Sequence, residues 1–440
     1  MINKVSKINF YEYLCRFNLV NYIWILITFS LIALITHNFL SNNTIGGDFL
    51  ISYNSATRLF YENGSYHDPD KLLPINTGRL LIDRIHSTQS HPVIGAWYFY
   101  PFIAITNRGI AFYLYTILQS LAVFICLLLV VKTIKKQQPN NIRTQNYTVQ
   151  DIAFFTLPII LFAGGTRSFL YINLLWGQTN ILVLLFCVIA IILHSAKKYK
   201  MSSVIFSLAA ADKIFPVLFC LSSLKFLRWC LYGLIIQLLI LWPLSSIEVF
   251  YDLIRYPFVF NKGNYSLLNP ARVGEYFRGD GFQFSPIANL IDVFRSLIGI
   301  YCTDVYDFWL RMILLSIFSL PLVYFLLCLI TVSLKTLFSN SVTQWDKASV
   351  IFIFCLPIVT SGFWDHHLIF PIFGTILLIP KLKNKLDLIL WIASIAPLSL
   401  NAGHHVYFQP QLALIGFSFS WFLMYRLYRR QVDTISYKYE

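Results

Sequence analysis

The chain has 440 residues, 57% of them hydrophobic and only 12% charged, with a formal net charge of +14. A soluble globular chain carries about 25% charged residues, so the composition excludes an ordinary soluble domain. Several apolar runs reach the ~20 residues that a helix needs to cross a bilayer, and the expected class is an all-α polytopic membrane protein. The cations sit mostly in short segments between those runs. That argues against a nucleic-acid patch and for orientation by Lys and Arg.

The first 21 residues carry Lys4, Lys7 and Arg16 and are expected in the cytoplasm. The first apolar run, Tyr22–Leu40, is too long for a signal-peptide core and has no A-x-A exit, so it reads as a retained helix. A first polar outer loop, 41–108, follows, with Asp48 near its start, and Tyr53–Tyr61 reads as a short interfacial helix. The next expected helices are Gly109–Val131, Ile152–Gly164 and a long one over Phe169–Leu193. The run Met201–Leu224 has basic flanks on both sides and is broken by Asp212-Lys213 and Pro216. Two half-length helices forming a hairpin that enters and leaves on one side fit these facts, and such breaks are tolerated where they are buried in protein or line a cavity.

Trp229–Ile247 then crosses outward to a second polar outer loop, 248–307. Further crossings are expected over Phe308–Leu334, Ala348–Thr360, Leu368–Pro380 and Leu386–Leu400, with a last helix returning to Arg426, Arg429 and Arg430. Trp364-Asp365-His366-His367 forms an outer turn. The whole of 1–440 is thus expected to be one integral membrane domain of about 12 membrane-spanning or re-entrant segments, with both termini cytoplasmic. The segments assigned inside are dense in Lys and Arg, and most Asp and Glu fall outside, as the positive-inside rule requires. The eight cysteines (15, 126, 187, 220, 230, 302, 328 and 355) form no CxxC, and most lie inside apolar runs as small buried hydrophobes.

The polar outer features lie on one side of this topology: Asp48, the start of the long fourth helix with Gln178 and Asn180, the second outer loop, and the Asp365–His367 turn. An ionisable group at a helix end in such a place is a candidate functional residue. Each also has a plain structural role available. Asp48 can be a solvated acid at a helix exit. Asp365 can cap the helix that follows, and His366 and His367 can be structural. Lys213 can pair with Asp212 or extend to the inner interface, and Gln178 and Asn180 can bond neighbouring helices. His404-His405 and His366-His367 lack a third ligand type at metal spacing, so no metal or cofactor is expected.

Several short motifs occur in order. They are Gly47-Asp48-Phe49 with Tyr53, Ala56 and Gly64-Ser65-Tyr66; Phe99-Tyr100-Pro101; Trp176-Gly177-Gln178-Thr179-Asn180; Ala209-Ala210-Ala211-Asp212-Lys213-Ile214-Phe215-Pro216; and Trp364-Asp365-His366-His367. Together they resemble glycosyltransferase family 87, the polyprenol-phosphate-mannose-dependent mannosyltransferases of the GT-C fold. The sequence departs from the family where Pro101 is followed by Phe102. The resemblance implies transfer of a hexose, mannose in the family, from a polyprenyl-phosphate donor to a glycan or lipid acceptor at the outer face of the cytoplasmic membrane. It implies Asp48 as general base, with inversion at the anomeric carbon. Donor-phosphate contacts fall to His366, His367, Arg79, Lys213 and Arg272, and substrate contacts to Tyr53, Tyr100, Gln178, Asn180 and Asp365. A transporter or flippase for a lipid-linked glycan is the rival expectation. Such proteins place their charges along a central path, whereas here they collect on one face.

Overall fold

A computed structural model describes residues 45–62, 64, 92–137, 149–162, 169–213, 215–220, 224–245, 249–253, 323–339, 342–359, 365–400 and 409–436, with isolated helical positions between 26 and 37. Among the described residues every regular element is helical. In chain order these are α1 (Gly47–Tyr61), a 3-10 turn (Val93–Tyr98) leading into Tyr100–Ile103, α2 (Arg108–Gln137), α3 (Val149–Phe162), α4 (Phe169–Trp176), α5 (Asn180–Ser195), α6 (Tyr199–Asp212) and α7 (Leu224–Leu244). Then come α8 (Val323–Phe338), α9 (Gln344–Val350), which runs on through a π-helical stretch (Ile351–Cys355), α10 (Ile369–Ile376), α11 (Lys385–Ser399) and α12 (Gln409–Ser436).

Two described helices, Arg108–Ile134 and Lys225–Leu244, are long and apolar enough to cross a membrane, or up to three if the bent pair α4–α5 counts as one span. Their exposed residues show why. On α2 the stripe Ile110, Leu114, Leu118, Leu121 and Ile125 stays uncovered, and on α7 so do Leu231, Ile235, Ile236, Leu239 and Ile240. A helix that keeps an apolar stripe uncovered after folding is suited to lipid.

Two sequence expectations are corrected. The fourth helix is not continuous from Phe169 to Leu193: α4 and α5 meet at 113° across Gly177-Gln178-Thr179. Gly177 has φ +68°, a backbone conformation that an unbroken helix cannot contain and that glycine adopts without strain. Likewise Asp48 does not open a loop. It sits in the first turn of α1, which starts six residues before the expected Tyr53.

Hairpin packing organises the middle of the chain. α5 packs on α6, α6 on α7, and α2 on α5. α6 and α7 approach closely at Gly233, where an added Cβ would lie 2.2 Å from Ser207 Oγ. Gln237 donates to Ser207 Oγ at 3.0 Å, and its carbonyl accepts Trp97 Nε1 at 3.4 Å. Small residues with a buried polar bond are the usual adhesive between helices in an apolar medium. The α5–α6 turn gathers exposed Lys197, Lys198 and Lys200, and α7 begins beside it with exposed Lys225 and Arg228. Phe226 meets His194 edge to face at 5.1 Å, so the chain that left this basic end along α6 is back there by residue 226. α6 has 14 residues, so its far end stands ~20 Å from the basic turn at ~1.5 Å per residue.

The C-terminal half is tied at its own polar end. Asn384 caps α11 by accepting Asp387 N at 2.9 Å, and Asp387 in turn accepts Lys383 N at 3.0 Å and Arg426 Nε at 2.8 Å. The Asp387 side chain is fully buried. Removing one partner of a buried pair strands the other charge, at ~3–5 kcal/mol. Arg426→Ala is therefore expected to lower the thermal unfolding midpoint of the detergent-solubilised protein sharply. An unchanged midpoint would show that the backbone N–H groups of Lys383 and Asn384 satisfy Asp387 without the guanidinium.

Candidate active site

The site forms where two helix breaks meet the start of α1. The first break, Gly177-Gln178-Thr179, interlocks with Gly46-Gly47. A Cβ on Gly46 would stand 2.5 Å from Leu175 O, and one on Gly47 3.1 Å from the Trp176 ring. A Cβ on Gly177 would stand 2.5 Å from Phe49 Cβ. Phe49 is fully buried, its ring within 5.2–5.9 Å of Tyr53, Phe99, Phe112 and Tyr115. That aromatic cage fixes the first turn of α1 and, with it, the neighbouring Asp48.

Asp48 keeps part of its surface open. Its Oδ2 accepts a hydrogen bond from Gln178 Nε2. The positive end of the α1 dipole and the Gln178 amide both complement a negative charge there. Gln178 is itself held: its N–H donates to Asn173 O at 3.0 Å and its carbonyl accepts Gln119 Nε2 at 2.5 Å. Gln178 Oε1 is buried and has no hydrogen-bond partner among the described residues. Asn180, fully buried at the start of α5, bonds Asn173 Oδ1 at 3.2 Å.

The second break ends α6 at Asp212. The chain leaves the helix in extended conformation at Lys213, and Pro216 disfavours helix at the residue before it. Asp212 Oδ2 accepts Thr179 Oγ1 at 2.5 Å, so the two breaks are joined directly. Gly95 of the 3-10 turn packs on the same carboxylate, where an added Cβ would be 2.9 Å from Oδ1. Lys213 lies in the electrostatic reach of both Asp212 and Asp48. It therefore belongs to the site, at the end of α6 away from the basic turn, and does not extend to that turn.

The Asp365–Leu368 turn packs against α4. Phe215 meets Phe370 edge to face at 4.7 Å, which draws the turn carrying the half-buried His367 towards the α6 break. The side chains of Asp365 and His366 lie outside the described residues, as do Arg79 and Arg272. Tyr53 uses its hydroxyl on Ile105 O at 2.8 Å. Burial raises the affinity of that phenol for its proton, and Arg108 opposes the shift. Tyr100 lies at the surface, its ring edge-on to Phe60 at 4.7 Å and to Trp97 at 5.7 Å.

The structure thus joins Asp48, Gln178 and Lys213 of the expected residues and adds Thr179, Asp212 and Gln119. Asp212 carried a signal, an acid inside an apolar run. Gln119 carried almost none, since a lone Gln on an apolar helix is commonly a helix–helix contact.

A partly open carboxylate, an amide and a lysine at the meeting of broken, apolar helices define a polar candidate site in a membrane-type helical protein. Residues 90–250 match the family model described as Glycosyltransferase family 87. The resemblance is confirmed over that stretch, which includes Gly95, Gly177 to Thr179 and the Asp212-Lys213 break, and it indicates a glycosyltransferase with a sugar donor and an acceptor. No curated protein matches the chain.

Proposed function

We propose that the chain is a GT-C-type glycosyltransferase of the cytoplasmic membrane that moves a hexose, mannose by family resemblance, from a polyprenyl phosphate to a glycan or lipid acceptor on the outer face. One observation carries this reading: Asp48, oriented by the Gln178 amide, shares its surroundings with the Lys213 ammonium. Transfer needs a base for a hydroxyl and a cation for a leaving phosphate in one site, and this pair offers both.

In the reaction, the acceptor oxygen attacks the anomeric carbon while the bond from that carbon to the phosphate oxygen breaks. The hydroxyl proton passes to Asp48, and the electron pair leaves with the polyprenyl phosphate. A single displacement inverts the anomeric centre. General-base assistance contributes ~10²–10⁴-fold, and fixed positive groups at the developing charge contribute further. Lys213 is the cation assigned to the phosphate, with His366, His367, Arg79 and Arg272 as further proposed contacts. Tyr53, Tyr100, Asn180 and Asp365 are the proposed substrate contacts beside Gln178. The position of the site at the opposite end of α6 from Lys197, Lys198 and Lys200 supports an outward-facing site, since basic turns favour the cytoplasm.

The test supplies membranes containing the protein with radiolabelled polyprenyl-phosphate mannose or with the nucleotide sugar. Label is expected in a glycan or lipid product from the polyprenyl donor alone. Transfer from the nucleotide sugar in membranes unable to make the lipid intermediate would overturn the donor assignment. Movement of intact lipid-linked glycan between leaflets without transfer would favour a flippase.

A further inference from the structure

We propose that Asp212 is a positioning residue of the transfer reaction: it clamps the Thr179 hydroxyl and flanks Lys213, so that Gln178 and the lysine keep their places beside Asp48. This rests on the reading of Asp48 and Lys213 given above. Asp212 is buried, with 1% of its surface exposed, and burying a carboxylate is costly unless it is paired and hydrogen-bonded. It also ends a helix, where the partial charge of the helix terminus is negative and repels an acid. Neither fact suits a residue kept for fold alone, because a neutral side chain of similar size fills such a place at least as well.

What Asp212 does have is contacts with the site. Its Oδ2 takes the Thr179 hydroxyl at 2.5 Å, in the range of a charge-assisted O–H bond to a carboxylate. Thr179 follows Gln178 directly, and Gln178 donates to Asp48. Lys213 follows Asp212 directly and feels its charge more strongly than that of Asp48. The glycine at 95 leaves room for Oδ1, since a side chain there would run into it. Asp212 is therefore linked to both the amide and the ammonium, to one through Thr179 and to the other as its chain neighbour.

The experiment compares Asp212→Asn, Thr179→Val and Thr179→Ser with wild type, all full-length and membrane-embedded, in donor-dependent transfer across pH. Asp212→Asn is expected to lower kcat ~10–100-fold while the KM for the donor stays within about threefold, the pattern of a group that matters in the transition state. Thr179→Val follows it, and Thr179→Ser, which keeps the hydroxyl, retains most activity. Asp212 favours the charged form of Lys213, so its loss changes the field that these two groups set at Asp48. The acidic limb of the kcat profile in Asp212→Asn is therefore expected to move. A loss of activity that only tracks the amount of folded protein, with the limb unmoved, would overturn the proposal. So would equal damage from Thr179→Ser and Thr179→Val. Absence of transfer by wild type itself would instead sink the donor reading, and this assignment with it.

Discussion

Asp48→Asn is expected to cut sugar transfer by ~10²–10⁴-fold at unchanged protein abundance, and to remove the acidic limb from the pH profile. Each factor of ten corresponds to ~1.4 kcal/mol of barrier, so the variant loses ~3–5 kcal/mol of transition-state stabilisation. The amide is nearly isosteric with the carboxylate but cannot accept the hydroxyl proton at any useful pH. The fold is expected to tolerate it. The Asp48 side chain is partly open, and the cage that fixes this turn is made by Phe49 and its ring partners. The sign of the pH effect follows from the role. A general base works ionised, so wild-type transfer falls as pH drops through its titration and is level above it. The measurement is initial transfer rate per unit of folded protein, across pH. Rates within about threefold of wild type, with the acidic limb intact, would mean that Asp48 is only a helix-start acid and that the base lies elsewhere.

Lys213 shows what sequence reasoning reached and where it stopped. The acid-base pair inside an apolar run was visible, and the hairpin followed from basic flanks on both sides. The direction of Lys213 did not follow, because three-dimensional placement depends on α5 and α6 packing side by side, which no local pattern encodes. The same limit applies to Thr179. Its type and its place after Gln178 were readable, but its bond to Asp212 joins residues 33 apart in sequence through the meeting of two helix breaks.

The break at Gly177 was missed for a different reason. Residues 169–193 are apolar on both sides of Gly177-Gln178-Thr179, and an apolar run long enough to span a bilayer reads as one helix. A glycine inside such a run is tolerated often enough to give no warning. What forces the bend is the left-handed backbone at Gly177, with Cα and Cβ of Phe49 and the ring of Phe112 packed against it. Both are consequences of tertiary packing. By contrast, the starts of α9 and α11 carry local signals, and the expected helices begin near them, at Ala348 and Leu386 against Gln344 and Lys385. Thr343 accepts Asp346 N at 3.2 Å, and Asn384 accepts Asp387 N at 2.9 Å, each three residues ahead, as capping requires.

Gly177→Ala is expected to destabilise the protein by ~2–5 kcal/mol and to abolish transfer before it abolishes folding. Two costs add. An alanine forced into left-handed backbone costs ~1–2 kcal/mol, and the position has φ +68°. The new methyl would also stand 2.5 Å from Phe49 Cβ and 3.1 Å from the Phe112 ring. Overpacking of this kind costs ~1–3 kcal/mol, and Phe49 has no room to retreat among its four ring partners. Any relief must come from the break itself, which moves Gln178 away from Asp48. A displacement of ~1 Å in a reacting constellation is enough to lose ~10²-fold in rate. Gly64→Ala is the control. Among the described residues its Cβ would meet nothing closer than 3.7 Å, so stability and transfer should stay near wild type. The measurements are the thermal unfolding midpoint in detergent and transfer rate per folded protein. A Gly177→Ala protein that melts with wild type and still transfers sugar would show that the α4–α5 bend does not hold Gln178 against the base.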